Sequence, residues 1–171
     1  MEFQEVLQNR HAIRNFDSKE IPEETIREII ELAELAPSAG NIQAYTVVVV
    51  RSAGNRKKLH ETVGQDPLMT APVSFIVCGN GKESAAKYED RGKNLYAVQD
   101  ATIFAAYLQL VITSQGLASV WMGGFDEEAL KKSFDLPEEL RPICIIPMGY
   151  PAGEPRPRVR KSVNEVIYKT M

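Results

Sequence analysis

Four stretches of the chain carry side chains able to hold a ligand. Arg10-His11-Ala12-Ile13-Arg14 sets two arginines four residues apart with a histidine between them. If the preceding helix stops near Arg10, these groups lie in a turn and can converge on an anion; if it continues, Arg10 and Arg14 share a face. A solvated basic turn has the same composition. Pro37-Ser38-Ala39-Gly40-Asn41-Ile42-Gln43 combines small residues, which let a flat ligand approach the backbone, with Ser, Asn and Gln groups that can hydrogen-bond its edge. An ordinary helix-to-strand turn favours the same residues. Met122-Gly123-Gly124 closes an apolar run with paired glycines, which allow a close backbone approach. Arg156, Arg158 and Arg160 alternate in the tail Pro155–Lys161. Strand-like geometry would aim them one way, suited to a phosphate, whereas polyproline geometry splays them and solvent would take them.

Side-chain catalytic machinery is missing. The two histidines, His11 and His60, are too isolated for a metal cage, and no GxSxG or HExxH occurs. Gly79-Asn80-Gly81 is not a dinucleotide fingerprint, because no GxGxxG follows. Cys78 and Cys144 sit in apolar runs and read as buried inert thiols, which fits a reducing, cytoplasmic setting. An enzyme with this inventory needs a bound cofactor. Arginines near both ends, a small polar loop and a glycine pair after a strand suit a flat, phosphate-bearing cofactor with an apolar ring.

The element that must position these groups is Asn94–Phe125, in which Asp100 is the only charged residue. Read as a helix to about Gln115, it places Leu95, Val98, Ile103, Phe104, Tyr107, Leu108, Val111 and Ile112 on nearly every face. Such a helix must be covered all round, by its own chain, a second subunit or lipid. Lipid is the weakest option, since Gln99, Asp100, Gln109 and Thr113-Ser114-Gln115 interrupt the run. Leu117–Met122 reads as a buried strand. Pro22–Ala36 has helical spacing of Ile26, Ile29, Ile30 and Ala33, with Pro37 ending it. Thr46–Arg51 reads as an inner strand, Asn55–Thr62 as a helix, Pro67–Ala71 as irregular and Val73–Cys78 as a second buried strand. Lys82–Lys93 reads as a surface loop or short helix, the natural place for a pocket rim. Asp126 caps a helix Glu127–Phe134, and Arg141–Met148 is a further strand.

With 171 residues, 44% of them hydrophobic, the chain reads as one domain, 1–171, with a substantial core. A net charge of −3 argues against a dedicated nucleic-acid binder, and the amphipathic start MEFQEVLQNRHAIRNF is not a secretory signal of the usual form.

Several motifs in order carry a resemblance: R-H-A-I-R-N-F at 10–16, A-P-S-A-G-N-I-Q at 36–43, A-P-V at 71–73, the Asp100 helix, G-L-A-S-V-W-M-G-G-F at 116–125, P-M-G-Y-P at 147–151 and R-V-R-K at 158–161. The chain resembles a short member of the nitroreductase family. The resemblance implies an α+β fold, a mainly antiparallel sheet flanked by helices, with the central helix at a homodimer interface and FMN bound there. It implies that Arg10, His11, Ala12 and Arg14, with Arg158 and Arg160, hold the FMN phosphate and ribityl chain. Pro37, Ser38 and Asn41 would approach from the other subunit, and the backbone of Met122, Gly123 and Gly124 would face the ring. His11 and Ala12 stand where arginine and serine are usual, Ala44-Tyr45 replaces Pro-Trp, and the short Gly81–Lys93 segment implies a reduced lid. Gln65 is a candidate for the polar residues that larger members place at the flavin edge.

The implied activity is hydride transfer from NAD(P)H to FMN and onward, by a ping-pong mechanism, to a nitroaromatic, quinone or flavin-type acceptor. No membrane or nucleic-acid partner is implied. The alternatives are a narrower FMN reaction, such as dehalogenation or desaturation, and a flavin storage or sensory role.

Overall fold

The computed structural model describes residues 1–156 and 158–171; Pro157, within the proline-containing tail, lies outside the described residues. The chain runs α1 (Phe3–Asn9), α2 (Glu23–Ala33), a 3₁₀ turn (Ala39–Asn41), β1 (Tyr45–Val50), α3 (Ala53–Val63), α4 (Pro67–Thr70), β2 (Val73–Asn80), α5 (Gly81–Arg91), a π-helical turn (Gly92–Tyr96), α6 (Ala97–Ser114), β3 (Ala118–Ser119), α7 (Glu127–Ser133), β4 (Leu140–Gly149) and α8 (Val163–Val166). The architecture is α+β around a four-stranded antiparallel sheet of order β1-β2-β4-β3.

Local chemistry sets many of the boundaries. Arg10 caps α1 in extended geometry (φ −68°, ψ 103°), so the basic segment that follows is a turn rather than a helix face. α2 carries Glu23 and Glu24 in its first turn and buries Ile26, Ile29 and Ala33. It ends at Ala33 rather than Ala36, the residue before Pro37 being driven out of helical geometry. Asp126 Oδ1 accepts from the Ala129 amide (2.9 Å) to start α7, and Asn80 Oδ1 accepts from Glu83 (3.1 Å) to start α5. Lys82–Lys93 is therefore helical over most of its length, and Pro67–Ala71 contains a single turn of helix.

The sheet is covered on both faces, which explains its near-continuous apolar strands. Phe75, Val77, Cys144, Ile146 and Met148 pack toward α2 and α6. Ile76, Cys78 and Ile145 pack on the other side with Leu59, Leu68 and Leu130. β1, expected as an inner strand, is an edge strand: β2 is its only neighbour in the sheet and Val49 is 37% exposed. The expected strand Leu117–Met122 pairs regularly only at Ala118–Ser119, with a single bridge from Met122 to Ile145 beyond it. Pro147 of the facing β4 has no N–H to donate, and the Val120 amide reaches its carbonyl at 3.4 Å. A register shift at Val77/Cys78, opposite Cys144 and Pro142, bulges β4 beside its other proline.

Of α6, Ala101, Phe104, Ala105, Leu108 and Ile112 are buried against the sheet and α2, and Phe104 stacks on Tyr45 with ring centroids 4.5 Å apart. The opposite stripe is uncovered: Thr102, Ala106 and Tyr107 are exposed, and Ile103, Leu110 and Val111 are half-buried. The helical run Gly81–Ser114 is long and apolar enough to cross a membrane by length and composition, yet its inner face forms the protein core. At the start of α6, a Cβ on Gly79 would stand 2.6 Å from the Ala97 carbonyl oxygen, so strand end and helix start touch backbone to backbone.

Candidate cofactor-binding site

The Arg10–Arg14 turn is fastened to the chain that leaves α6. Ala12 forms a parallel bridge with Ser119, and the Ile13 amide donates to the Ser119 carbonyl (3.1 Å). Ser119 is braced by Gln109 of α6, whose Nε2 donates to its Oγ (3.3 Å). Further on, the Asp17 amide donates to Tyr150 (2.9 Å) and the Ala152 amide to Asn15 (3.0 Å), which ties the turn to the start of the C-terminal tail. A depression of about 190 Å³ opens there between Ala12, Arg14, Asn15, Gly153 and Arg156. Arg14 Nη1 reaches only the Ala12 carbonyl, at 3.4 Å. Arg10, Arg14, Arg158 and Arg160 form no ion pair among the described residues.

Three residues after Ser119 comes Met122, buried, with its amide and carbonyl both exchanged with Ile145 (3.0 and 2.9 Å). Gly123 and Gly124 then turn outward. Neither of their amides has a hydrogen-bond acceptor among the described residues. The only atom near a Cβ on Gly124 would be Gln65 Nε2, at 3.7 Å. That same Nε2 donates to the Gly124 carbonyl at 2.7 Å, so Gln65 holds the glycine pair in place.

The 38–41 loop is anchored elsewhere. Ser38 Oγ accepts from the Gln43 amide (3.0 Å) and its carbonyl from the Asn41 amide (3.1 Å). Gly40, Asn41 and Gln43 all take positive φ (57°, 55° and 57°), a cost that glycine and asparagine bear more readily than glutamine. The Ala39 amide donates to Asp100 Oδ1 at 2.8 Å. Asp100 is 2% exposed and its Oδ2 has no partner among the described residues. Burial pushes its carboxyl above the ordinary value, and the Ala39 N–H offsets part of that rise. The lone acid of an apolar helix was visible in the sequence; its task of holding this loop was not.

The predicted residues thus form two groups on different parts of α6. The turn joins at Ser119, beside Gln109, and the glycine pair further along that segment is held by Gln65, whereas the loop attaches at Asp100, about 14 Å from Gln109 along the helix axis. Arg158 and Arg160 belong to neither group, since the tail from Arg158 to Met171 is exposed throughout. A cleft of about 600 Å³, lined by Lys82, Lys93, Glu127, Lys131, Glu138 and Arg141 among others, contains none of the predicted residues. A site divided between two copies would show no closed pocket in one.

The nitroreductase family model matches residues 7–65 and 53–150. This chain belongs to the nitroreductase family. It is 32% identical over 163 residues to a protein of Methanothermobacter thermautotrophicus provisionally named an NADH dehydrogenase/NAD(P)H nitroreductase, the match covering 92% of this chain and 82% of that one. A solved structure from Staphylococcus epidermidis, provisionally described as an NAD(P)H:FMN oxidoreductase, is 25% identical with a TM-score of 0.89 over 99% of this chain and 96% of its own. A protein from Exiguobacterium sibiricum provisionally described as a nitroreductase, solved in complex with FMN, superposes with a TM-score of 0.91 over 99% of this chain and 98% of its own; at 20% identity it shows the fold alone.

Proposed function

We propose that this nitroreductase-family protein is an FMN-dependent oxidoreductase that accepts hydride from NADH or NADPH and reduces nitroaromatic, quinone or flavin-type acceptors. It works as a cytoplasmic homodimer, each chain being one cofactor-binding domain. The observation that carries the reading is the joint of Ala12 to Ser119, which ties the segment bearing Arg10 and Arg14 to the segment that runs on to Gly123 and Gly124, whose amides have no acceptor among the described residues. Those groups match an anionic tail and a polar ring edge. The names borne by the relatives point to the same chemistry.

The flavin, when bound, supplies the hydride chemistry; the chain's residues bind and orient it. Arg10 and Arg14, with His11 and the Ala12 backbone beside them, and Arg158 and Arg160 of the tail would hold the phosphate and supply its countercharge. The Gly123 and Gly124 amides, braced by Met122 and Gln65, would be the donors to the ring edge and would favour negative charge there. Pro37, Ser38 and Asn41 complete the site from the second copy. Shared use of one pocket by both substrates makes the kinetics ping-pong.

The test is the visible absorption spectrum of the purified protein before and after anaerobic NADH. The expected result is a flavin band that bleaches. A band that survives both NADH and NADPH indicates another reductant or a storage role, and the absence of any band after added FMN refutes the cofactor assignment.

A further inference from the structure

The polar segment between β2 and α6 builds a second group of side chains with its own chemistry. Tyr88 and Tyr96 meet edge to face, centroids 5.0 Å apart and planes at 88°. Arg91 Nε donates to the Tyr96 hydroxyl at 2.9 Å, with its guanidinium carbon 5.3 Å from that ring's centre. Lys87 Nζ lies 5.3 Å from the centre of the Tyr88 ring. Lys87 and Arg91 form no ion pair among the described residues, although the exposed Glu89 and Asp90 lie between them in the chain.

The backbone is bent to make this cluster. Glu89 takes φ 48° and ψ −137°, outside any helical region, and a π-helical turn from Gly92 to Tyr96 follows. Gly92 packs so closely that a Cβ would stand 2.7 Å from the Ser84 carbonyl carbon. Backbone strain of this kind and π turns both concentrate at functional sites. Here they return Tyr96 beneath Tyr88 and Arg91. The cluster also meets the candidate site, because the Tyr88 hydroxyl and Lys87 Nζ lie directly against Gly40 of the 38–41 loop.

We infer that Lys87 and Arg91, mounted on the Tyr88–Tyr96 pair, recognise an anionic group, a carboxylate or phosphate, attached to a planar ring at the mouth of the site the 38–41 loop completes. The inference rests on the reading that this loop faces the cofactor from the second copy. Two cations without carboxylate partners can receive an anion without first breaking an ion pair, and the aromatic edges beside them accept a flat ring. The anion has two sources: a carboxylate on the electron acceptor, or a phosphate of the reducing nucleotide.

The experiment compares 4-nitrobenzoate with its neutral analogue 4-nitrobenzamide by calorimetric titration of the purified protein, a readout that needs no turnover. The anion is expected to bind about tenfold more tightly. Lys87→Gln and Arg91→Gln should each reduce that preference, leave 4-nitrobenzamide binding and flavin content unchanged, and Arg91→Lys should restore part of it. In parallel, flavin bleaching by NADPH and by NADH is compared. A variant that loses only a preference for NADPH assigns the anion to the nucleotide, and one that loses only the nitrobenzoate preference assigns it to the acceptor. A wild-type protein with neither preference, or variants that weaken charged and neutral ligands alike, overturns the inference. Selective nitrobenzoate binding by a protein without flavin keeps this site and removes the redox reading; a bleachable flavin without selectivity does the reverse.

Discussion

β1 and β2 have nearly the same chemistry, YTVVVV against VSFIVC, and pair with each other along the whole of β1. β2 is buried from Val73 to Gly79, while β1 is half-buried and keeps one backbone edge open. α6 repeats the contrast across its own axis: Phe104 and Leu108 are fully enclosed, while Tyr107 between them is 38% exposed. The uncovered set continues through Phe3 and Leu7 of α1, Leu35 after α2, and Val159, Val163, Ile167 and Tyr168 in the tail. Apolar composition reports that a surface is to be covered, not which chain covers it. A single copy covers the inner half only.

The two halves should therefore fail differently. On the inner face, Phe104→Ala should cost about 3–5 kcal/mol, read as a lower denaturation midpoint at unchanged denaturant slope. A loss under 1 kcal/mol would mean that the α6–sheet core is looser than its packing indicates. On the outer face, Ala106→Glu would set like charges against each other if the proposed homodimer pairs its α6 helices there, and should then weaken self-association at least about a hundredfold. Sedimentation should then show a 19.1 kDa species, and on the proposed reading that species should no longer retain FMN. A variant that remains dimeric would place the interface elsewhere.

Arg160→Ala tests whether the exposed tail works at the cofactor: FMN should bind about tenfold to a hundredfold more weakly in equilibrium dialysis, with the melting curve of the apoprotein unmoved. Unaltered FMN retention would show that another arginine carries the phosphate.

Asp100 sits on the boundary between the halves, and its test is a pH slope. Its folded carboxyl titrates above the unfolded value, so between those two values the native state holds the extra proton. Stability contributed at this position is thus greatest in acid and falls as pH rises from about 4 through the raised folded value. Asp100→Asn keeps an acceptor for the Ala39 amide and should remove that slope, the two proteins converging in acid and the variant gaining toward neutrality. Parallel stability curves across the range would count against a buried charge. The smallest effect belongs to Glu127, whose carboxyl is lowered chiefly by its hydrogen bonds from Arg141 at 2.9 and 3.0 Å. Its contribution is lost as pH falls through the depressed value. Because both partners are about half exposed, Glu127→Gln should cost under about 1 kcal/mol in chemical melts.

Much of this was legible in the chain itself. Isoleucine spacing gave α2, the long apolar run gave α6, and Asp126 marked the start of α7. The edge position of β1 was not legible, because inner and edge strands differ in what lies across from them. α5 was left open between loop and short helix by its polarity: in Gly81–Arg91 only Ser84 is buried, so no apolar stripe decides for the helix. The shortened β3 turns on Pro147, a residue of the opposite strand. Among the candidate-site residues, the basic turn, the small loop and the glycine pair stood out by type, but the turn's joint to Ser119 beside Gln109, the pair's contact with Gln65 and the loop's anchor at Asp100 exist only after folding. The Lys87, Tyr88, Arg91 and Tyr96 group left only its four-residue cation spacing as a trace.

The contact between Gly79 and Ala97 has a mechanical meaning. No side chain lies between Gly79 and Ala97 to be compressed, so at its first residue α6 meets β2 backbone to backbone, while Phe104 and Leu108 fix it further along. In a two-fold assembly, a tilt at that joint would be repeated in the second copy with the opposite sense. In the proposed homodimer each shared site would then be misaligned by twice the error of one chain, so the absence of a Cβ at Gly79 would bear on the alignment of both sites at once.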